Sequence, residues 1–206
     1  NGASWTVLAA TASTTPQTFN SAFNFVNNVV VDPSDGEVYV AACNVIMKST
    51  NGGTSWTTVR GALANNSASD VQVTTTGVVY AAINSAVATN PGIWRSPEGV
   101  TWTSITPAGF PTGYGRIVIG VAPSNQNAVY FLVQGTNGSN GVDQINSHQI
   151  WKYTYVSGDG SAAGGTWVNK GVSLPNLAGA ADNAAFSTQN GYDMTVNVKP
   201  DNENFF

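Results

Sequence analysis

A Trp on the far side of a Gly-containing turn recurs along this chain, and the spacing of its copies limits the possible folds. The tryptophans end the segments NGASW, STNGGTSW, SPEGVTW and GGTW, at Trp5, Trp56, Trp102 and Trp167. Successive copies lie 51, 46 and 65 residues apart. Repeats of about 40 to 50 residues are typical of folds in which each unit buries its faces only against its neighbours. The spacing therefore predicts a series of stacked, similar units.

Three further landmarks keep the same order as the tryptophans. Apolar runs end at a Pro in VVVDP, IGVAP and VNVKP, at Pro33, Pro123 and Pro200. A Tyr lies in each of GEVYVAA, GVVYAAI and NAVYFLV, at Tyr39, Tyr80 and Tyr130. The segments VIMKS, GIWRS and QIWKY then precede the turns that lead to the Trp. Several landmarks in one order make a chance match improbable, and they define the register of the repeat.

In each unit the sequence pattern predicts four short strands. The first ends at the Pro, which cannot donate to a sheet and begins a turn. The second carries the Tyr, the third carries a Lys or Arg, and the fourth begins at the Trp. Val, Ile, Tyr, Trp and Thr dominate these runs, and no long segment has helical periodicity. We predict an all-β fold, an arc of a β-propeller built from four-stranded antiparallel blades.

The units divide the chain into three complete blades and parts of two more. We expect 1–26 to hold the end of a blade and a connecting loop, and 27–69, 70–115 and 116–192 to form blades, the last with long loops. Residues 193–206 begin another blade, with a first strand and the start of a second. Propellers close with about four to eight blades. We therefore expect one partial propeller domain, an excerpt of a larger ring.

Composition narrows the classes of function. Charged residues make up 9% of the chain, the net charge is −4, and Lys and Arg number seven in all, which argues against nucleic-acid binding. No apolar run approaches the roughly 20 residues of a membrane span. Because solubility rests on hydroxyl and amide groups, we expect a secreted or cell-surface protein. The single Cys43 excludes an internal disulfide and the single His148 excludes a His-based metal cluster, so we expect no metal and no cofactor.

The first complete turn, Ser49 to Trp56, resembles the Asp-box, or BNR repeat, of sialidase-like β-propellers. This superfamily includes xyloglucan-cleaving glycosidases and sortilin-type receptors. In this turn Asn51 can accept hydrogen bonds from backbone N–H groups, and Gly53 can adopt positive φ. The next copy is one residue short, and the last is lengthened before its Trp. The resemblance implies a structural role for Ser49, Asn51, Gly53, Trp56, Ser96, Gly99, Trp102, Asp159 and Trp167.

The resemblance also implies that ligands bind on the opposite face, in the loops from fourth to first and from second to third strands. Long loops on a rigid scaffold commonly carry binding sites. The ligand-binding candidates there are Arg116, Asp143, His148, Asp182, Tyr114 and Tyr192. Arg116 suits either a bidentate clamp on a carboxylate or a salt bridge between blades. The aromatic side chains suit either stacking on a sugar ring or packing beneath a loop.

Asp193 is the catalytic candidate. It matches Arg116 in the repeat and suits one carboxylate of a glycosidase pair, whose two acids lie about 5 Å or about 6.5 to 9.5 Å apart. Asp143 and Asp182 are its candidate partners, and turn capping is the alternative role for Asp193.

Two functions follow from these features. The first is a secreted propeller that binds a glycan or a protein through its loop face, next to the remaining blades of the same chain. The alternative is a glycoside hydrolase, endo-glucanase-like, xyloglucanase-like or sialidase-like, whose catalytic set is completed by blades outside this segment. A hydrolase needs paired carboxylates or an arginine cluster, and the sequence does not decide whether the chain is part of an enzyme.

Overall fold

The computed structural model describes residues 2–12, 21–64, 68–86, 89–135, 148–174, 188 and 191–206. Within these residues the strands form three four-stranded antiparallel sheets. The helix in this part of the chain consists of short 3₁₀ turns at Ala9–Thr11, Ala22–Asn24, Ala162–Gly164 and Gly171–Ser173. The prediction of an all-β fold of four-stranded antiparallel units is confirmed.

Each sheet is a meander in which consecutive strands pair. The first sheet contains β1 (Val26–Val31), β2 (Val38–Ala42), β3 (Val45–Ser49) and β4 (Thr57–Gly61). The second sheet contains β5 (Ser69–Val73), β6 (Val79–Ile83), β7 (Gly92–Ser96) and β8 (Thr103–Ser104). The third sheet contains β9 (Tyr114–Val121), β10 (Ala128–Gly135), β11 (Gln149–Tyr155) and β12 (Gly165–Asn169).

The first strands of the three sheets lie side by side. Strand β1 contacts β5, and β5 contacts β9, so these strands form the inner edge of the arc. The sheets stack face to face behind this edge, as the blades of a propeller do. Their first and second strands therefore begin and end on a common surface, which positions the candidate site.

Two apolar cores fill the spaces between the sheets. Between the first and second sheets, Tyr39 and Ile46 pack against Val71 and Ile83, and all four are fully buried. The core between the second and third sheets contains Tyr80, Ile93, Ile119, Phe131 and Tyr153. The outward face of the third sheet is covered by Met194, Val196 and Val198.

Side chains close the turn between β3 and β4. The Ser49 Oγ accepts a hydrogen bond from the Gly53 N–H at 2.8 Å, and the Asn51 Oδ1 accepts one from the Ser55 N–H at 2.9 Å. Gly53 has φ +87°, which favours glycine. The Trp56 Nε1 donates to the Gly53 carbonyl at 3.0 Å, so the ring is held against the turn it follows.

The corresponding turn of the second sheet uses a longer acid in a shorter loop. The Glu98 Oε1 accepts a hydrogen bond from the Thr101 N–H at 2.6 Å, the bond that Asn51 makes in the first sheet. The Ser96 Oγ accepts the Glu98 N–H at 3.4 Å. Gly99 has φ +70°, and a Cβ there would collide with the Tyr39 hydroxyl of the first sheet. The turn thus contacts the preceding sheet as well as closing its own.

Cations on the third strands join each sheet to the next. The Lys48 Nζ donates to the Glu98 carbonyl at 3.1 Å, and the Arg95 Nη1 donates to the Asp159 carbonyl at 3.3 Å. Both acceptors are the third residue of the following turn. Lys152 occupies the matching position in the third sheet and binds Glu203 at 3.0 Å. The repeat therefore includes a polar contact that crosses each interface.

The fourth strands differ from the prediction that they begin at the Trp. Strands β4 and β8 begin one residue after Trp56 and Trp102, because each Trp still belongs to the turn. Strand β12 instead begins before Trp167, since Gly165 already pairs with Tyr155. The variable length of the turn sets where each pairing starts.

Residues 191–206 form no strand, although the sequence predicts a first strand after 193. Their backbone nevertheless repeats the turn between β9 and β10. The Lys199 N–H donates to the Phe205 carbonyl at 2.8 Å, as the Ala122 N–H donates to Ala128 at 2.9 Å. The segment packs against the third sheet, with the Val196 carbonyl close to Gly120 of β9, and no described strand pairs with it.

Replacing Arg95 with Met should lower the free energy of unfolding by about 2 kcal/mol, since it removes a buried hydrogen bond and a cation–π contact. The Arg95 guanidinium lies 4.0 Å from the centroid of the Tyr155 ring, and the residue is 5% exposed. Urea denaturation measures the loss. The control is Lys199→Met, in an exposed ion pair with Asp201, where the expected loss is within about 0.5 kcal/mol. Equal losses in the two variants would contradict the interface role.

Candidate functional site

A pocket of about 280 Å³ opens on the surface where first strands begin and second strands end. This is the loop face on which the sequence analysis places ligands. The pocket crosses all three sheets at their inner edge. Its lining comprises Phe25, Val26, Asn27, Ala68, Asn84, Arg116, Gln134, Gly191 and Tyr192.

Arg116 supplies the one charged side chain in the described lining. Its Nη1 donates to the carbonyls of Gly191 at 3.0 Å and Tyr192 at 3.4 Å. Its backbone N–H donates to the Gln134 Oε1 at 2.9 Å. The Nε is buried and has no hydrogen-bond partner among the described residues. The guanidinium thus links β9 to the start of the described segment 191–206.

Amide side chains supply the rest of the polar lining, and their oxygens are fixed by the backbone. The Asn27 Oδ1 accepts the Ser69 N–H at 3.2 Å, which joins β1 to β5. The Asn84 Oδ1 accepts the Ala86 N–H at 2.7 Å. Tyr192 is 75% exposed at the rim. The pocket therefore combines ordered amides, one cation and an exposed aromatic ring.

Asp70 lies beneath this pocket and was not a sequence candidate. Its Oδ1 accepts hydrogen bonds from the Asn28 Nδ2 at 2.8 Å and the Val71 N–H at 2.9 Å, and its Oδ2 accepts the Ile119 N–H at 2.8 Å. The residue is 4% exposed. Burial raises the pKa of Asp70 to about 6, against the lowering effects of these bonds and of the Arg116 charge. One carboxylate therefore connects the inner strands of all three sheets.

Tyr114 and His148 lie in the interior, outside the pocket lining. Tyr114 is 5% exposed and packs edge-on against Phe110 with ring centroids 5.3 Å apart. Burial raises its pKa to about 12. His148 is 4% exposed, and its Nδ1 accepts the Gly135 N–H at 3.0 Å. Burial lowers the pKa of His148, which favours the neutral ring. Both side chains support the loop face from below.

Asp193 is exposed and follows Tyr192 at the rim of the pocket. Its backbone N–H donates to the Thr188 carbonyl at 3.1 Å. Its candidate partners Asp143 and Asp182 lie outside the described residues. The carboxylate pair therefore stays a prediction.

The last of the Trp-containing turns is closed differently from the first two. The Asp159 Oδ1 accepts the Ser161 N–H at 2.9 Å and does not reach the residue before Trp167. The Trp167 ring packs against Tyr153 with centroids 4.9 Å apart, within the core between the second and third sheets. Trp102 packs in the same way against the core of the first and second sheets.

No family model and no curated protein matches the chain. Among solved structures, it is similar to a GH74 enzyme from Niastella koreensis, with 23% identity and a TM-score of 0.48. The match covers 73% of this chain and 23% of that enzyme, so the chain spans about a quarter of the enzyme's length. No described helix is long and apolar enough to cross a membrane.

The buried Asp70 carboxyl should make stability depend on pH. Because its folded-state pKa of about 6 lies above the ordinary 3.8, its protonation stabilises the fold below about pH 4, and this contribution is lost as the pH rises through about 6. We expect a loss of up to about 3 kcal/mol between these limits. Urea unfolding across this range should show this step in the wild type and not in Asp70→Asn. The control Asp32→Asn removes a carboxylate that is 3% exposed at the far end of β1. Loss of the step in that control as well would contradict its assignment to Asp70.

Proposed function

We propose that this chain is part of a secreted Asp-box β-propeller protein that binds a partner through its loop face. The partner favoured by the pocket is a carbohydrate. The observation that carries this proposal is the lining itself: ordered amides of Asn27, Asn84 and Gln134, with the exposed ring of Tyr192 beside them. A protein partner on the same face is the other candidate.

The chemistry of the lining suits a sugar. Sugar hydroxyls both donate and accept hydrogen bonds, and an amide side chain offers both functions. Because the oxygens of Asn27 and Gln134 are held by backbone N–H groups, these side chains keep their orientation without a ligand. Preorganised polar groups lower the cost of binding. A flat, exposed aromatic ring such as Tyr192 can stack on the apolar face of a sugar.

The assignment to Asp-box propellers and to a secreted location rests on two kinds of support. The turn hydrogen bonds of Ser49 and Asn51 close a short loop that presents a Trp, as the sequence resemblance implies. Few charges and many hydroxyl and amide groups are the basis for secretion. The likeness in fold adds no argument about the ligand.

Carbohydrate binding is tested with a glycan array that includes xyloglucan oligosaccharides and sialylated glycans. The affinity of any glycan that binds is then measured by calorimetry. Tyr192→Ala should weaken binding about tenfold, or about 1.4 kcal/mol. The matched control is Phe205→Ala, which removes another exposed aromatic ring, 66% accessible and outside the pocket lining. Binding that Tyr192→Ala leaves unchanged would exclude this pocket, and an array without signal would favour a protein partner.

Glycoside hydrolysis is the second candidate, and the observation that favours it is the exposed Asp193 carboxylate next to Tyr192 at the rim. If the wild-type chain releases reducing ends from xyloglucan or sialylated glycans, Asp193→Asn should lower the rate more than 100-fold, about 2.7 kcal/mol of barrier. Asp201→Asn removes another exposed carboxylate, outside the pocket lining, and should leave the rate unchanged. A rate that Asp193→Asn does not change would remove Asp193 from the catalytic set.

We also propose that a further blade of the same kind, from the remaining blades of the chain, covers the outer face of the first sheet. Val29 is 55% exposed and pairs with Val40, and the corresponding pairs Val71 with Ala81 and Ile119 with Phe131 are buried between sheets. A groove of about 360 Å³ on this face is lined by Leu8, Phe23, Val26, Val29, Val38, Val40 and Trp56, with Thr11, Gly52 and Gly53. Because the positions equivalent to Val29 are buried by a neighbouring sheet in both other blades, we infer that a similar sheet covers Val29.

Exposure of this face predicts that the 206-residue chain alone associates as its concentration rises, because large exposed apolar patches bind one another. Sedimentation velocity over a concentration series measures the association. The double variant Val29→Thr/Val31→Thr should shift it to higher concentrations. The control Val100→Thr/Val156→Thr changes valines that are 65% and 57% exposed elsewhere and should not shift it. A wild-type chain that stays monomeric up to its solubility limit would contradict the proposal.

A further inference from the structure

Polar side chains connect the three inner strands one after another. The Asn28 Nδ2 of β1 donates to the Asp70 Oδ1 of β5 at 2.8 Å and to the Val71 carbonyl at 3.0 Å. The Asp70 Oδ2 accepts the Ile119 N–H of β9 at 2.8 Å. The first strand of a blade has a second edge that no strand of its own sheet covers, and these side chains satisfy groups on that edge. We call Asn28, Asp70 and Ile119 the inner-strand link.

Each member of the inner-strand link lies next to the lining of the pocket along the chain. Asn28 follows Asn27, and Asp70 lies two residues after Ala68. Ile119 lies three residues after Arg116 on the same strand. A change in the separation of β5 and β9 at the link therefore moves Arg116 relative to Ala68, across the mouth of the pocket.

Protonation of Asp70 changes the hydrogen bonds of the inner-strand link. An ionised Asp70 only accepts hydrogen bonds, and three donors point at it. A neutral carboxyl loses the negative charge that strengthens these bonds, and a proton on Oδ2 takes one of the lone pairs of the oxygen that accepts the Ile119 N–H, so that bond weakens. Among the described donors, Ile119 alone bonds to Oδ2, and this bond joins β5 to β9.

We propose that Asp70 is a proton-operated link that sets the width of the pocket, with the ionised form holding the arrangement that binds ligand better. This inference rests on the proposed function and adds a regulation to the same site: binding is stronger at about pH 7.5 than at about pH 5. The pH range follows from the raised pKa of Asp70, about 6.

Among the residues that the structure describes, Arg116 is the one charged group that acts on Asp70. From β9 Asp70 faces the Ile119 N–H and the charge of Arg116, and from β1 the neutral Asn28 amide. On β6 its register partner is Ala82. Titration in this region is therefore assigned to Asp70 itself.

The test follows the link directly by NMR, without a ligand. In the wild type, the Ile119 amide and the Arg116 Nε–H should shift with one shared midpoint near pH 6. Asp70→Asn should abolish both shifts, and Asp32→Asn, a buried acid far from the pocket, should retain them. An Ile119 amide that does not titrate in the wild type overturns the proposal, whether or not Asp70→Asn folds. Shifts that persist in a folded Asp70→Asn variant overturn it as well.

A binding experiment separates this inference from the proposed function. Affinity for a xyloglucan oligosaccharide is measured at pH 5 and at pH 7.5 for the wild type and for Asp70→Asn. We expect binding about threefold or more weaker at pH 5 in the wild type and equal at both pH values in the variant, a difference of about 0.7 kcal/mol. Equal wild-type affinities would overturn the regulation. No binding at either pH contradicts carbohydrate binding by this probe, while the NMR titration still decides the link.

Discussion

The burial of sheet faces is the constraint on which the rest of this structure depends. Each four-stranded sheet has apolar side chains on both of its faces, and a sheet cannot cover its own faces. The first and second sheets bury facing side chains in a core around Tyr39, and the second and third sheets do so in a core around Tyr80. The polar contacts of Lys48 and Arg95 then fix the sheets in one relative position, because each cation reaches a carbonyl of the next turn. Stacking and register thus come from the same repeat.

Stacking also creates the candidate site. Because consecutive sheets meet along their first strands, the ends of β1, β5 and β9 converge at one surface, and residues far apart in sequence line one pocket. Arg116 contacts the carbonyls of Gly191 and Tyr192 there, more than 70 residues later in the chain. The site is therefore a property of the arrangement of sheets, and no single sheet contains it.

The periodic landmarks made the strands predictable, because Pro, Tyr and Trp each have a fixed place in every unit. The expectation of a ligand-binding loop face came from the family resemblance, and the register gave the positions of Arg116 and Tyr192 relative to it. The side chain that closes each turn was less predictable. In the shorter second turn, the longer Glu98 side chain accepts the hydrogen bond that Asn51 accepts in the first turn. Asp70 was not predicted as a site residue, because the equivalent positions in the other repeats hold Asn28 and Val118 and no repeated residue type points to it. Its partners Asn28 and Ile119 lie 42 and 49 residues away, and only the stacking brings them together.

The comparison of Asn28 with Asp70 suggests why a carboxylate is buried here at all. Both residues accept the N–H of the residue that follows, Val29 at 2.8 Å and Val71 at 2.9 Å, and both extend to the next sheet. A neutral amide therefore suffices for the local task, and a buried charge costs free energy that an amide avoids. What the carboxylate adds is acceptance at both oxygens and a change of charge with pH. Because Asp70 lies beneath the pocket, its change of charge with pH takes place next to the candidate site.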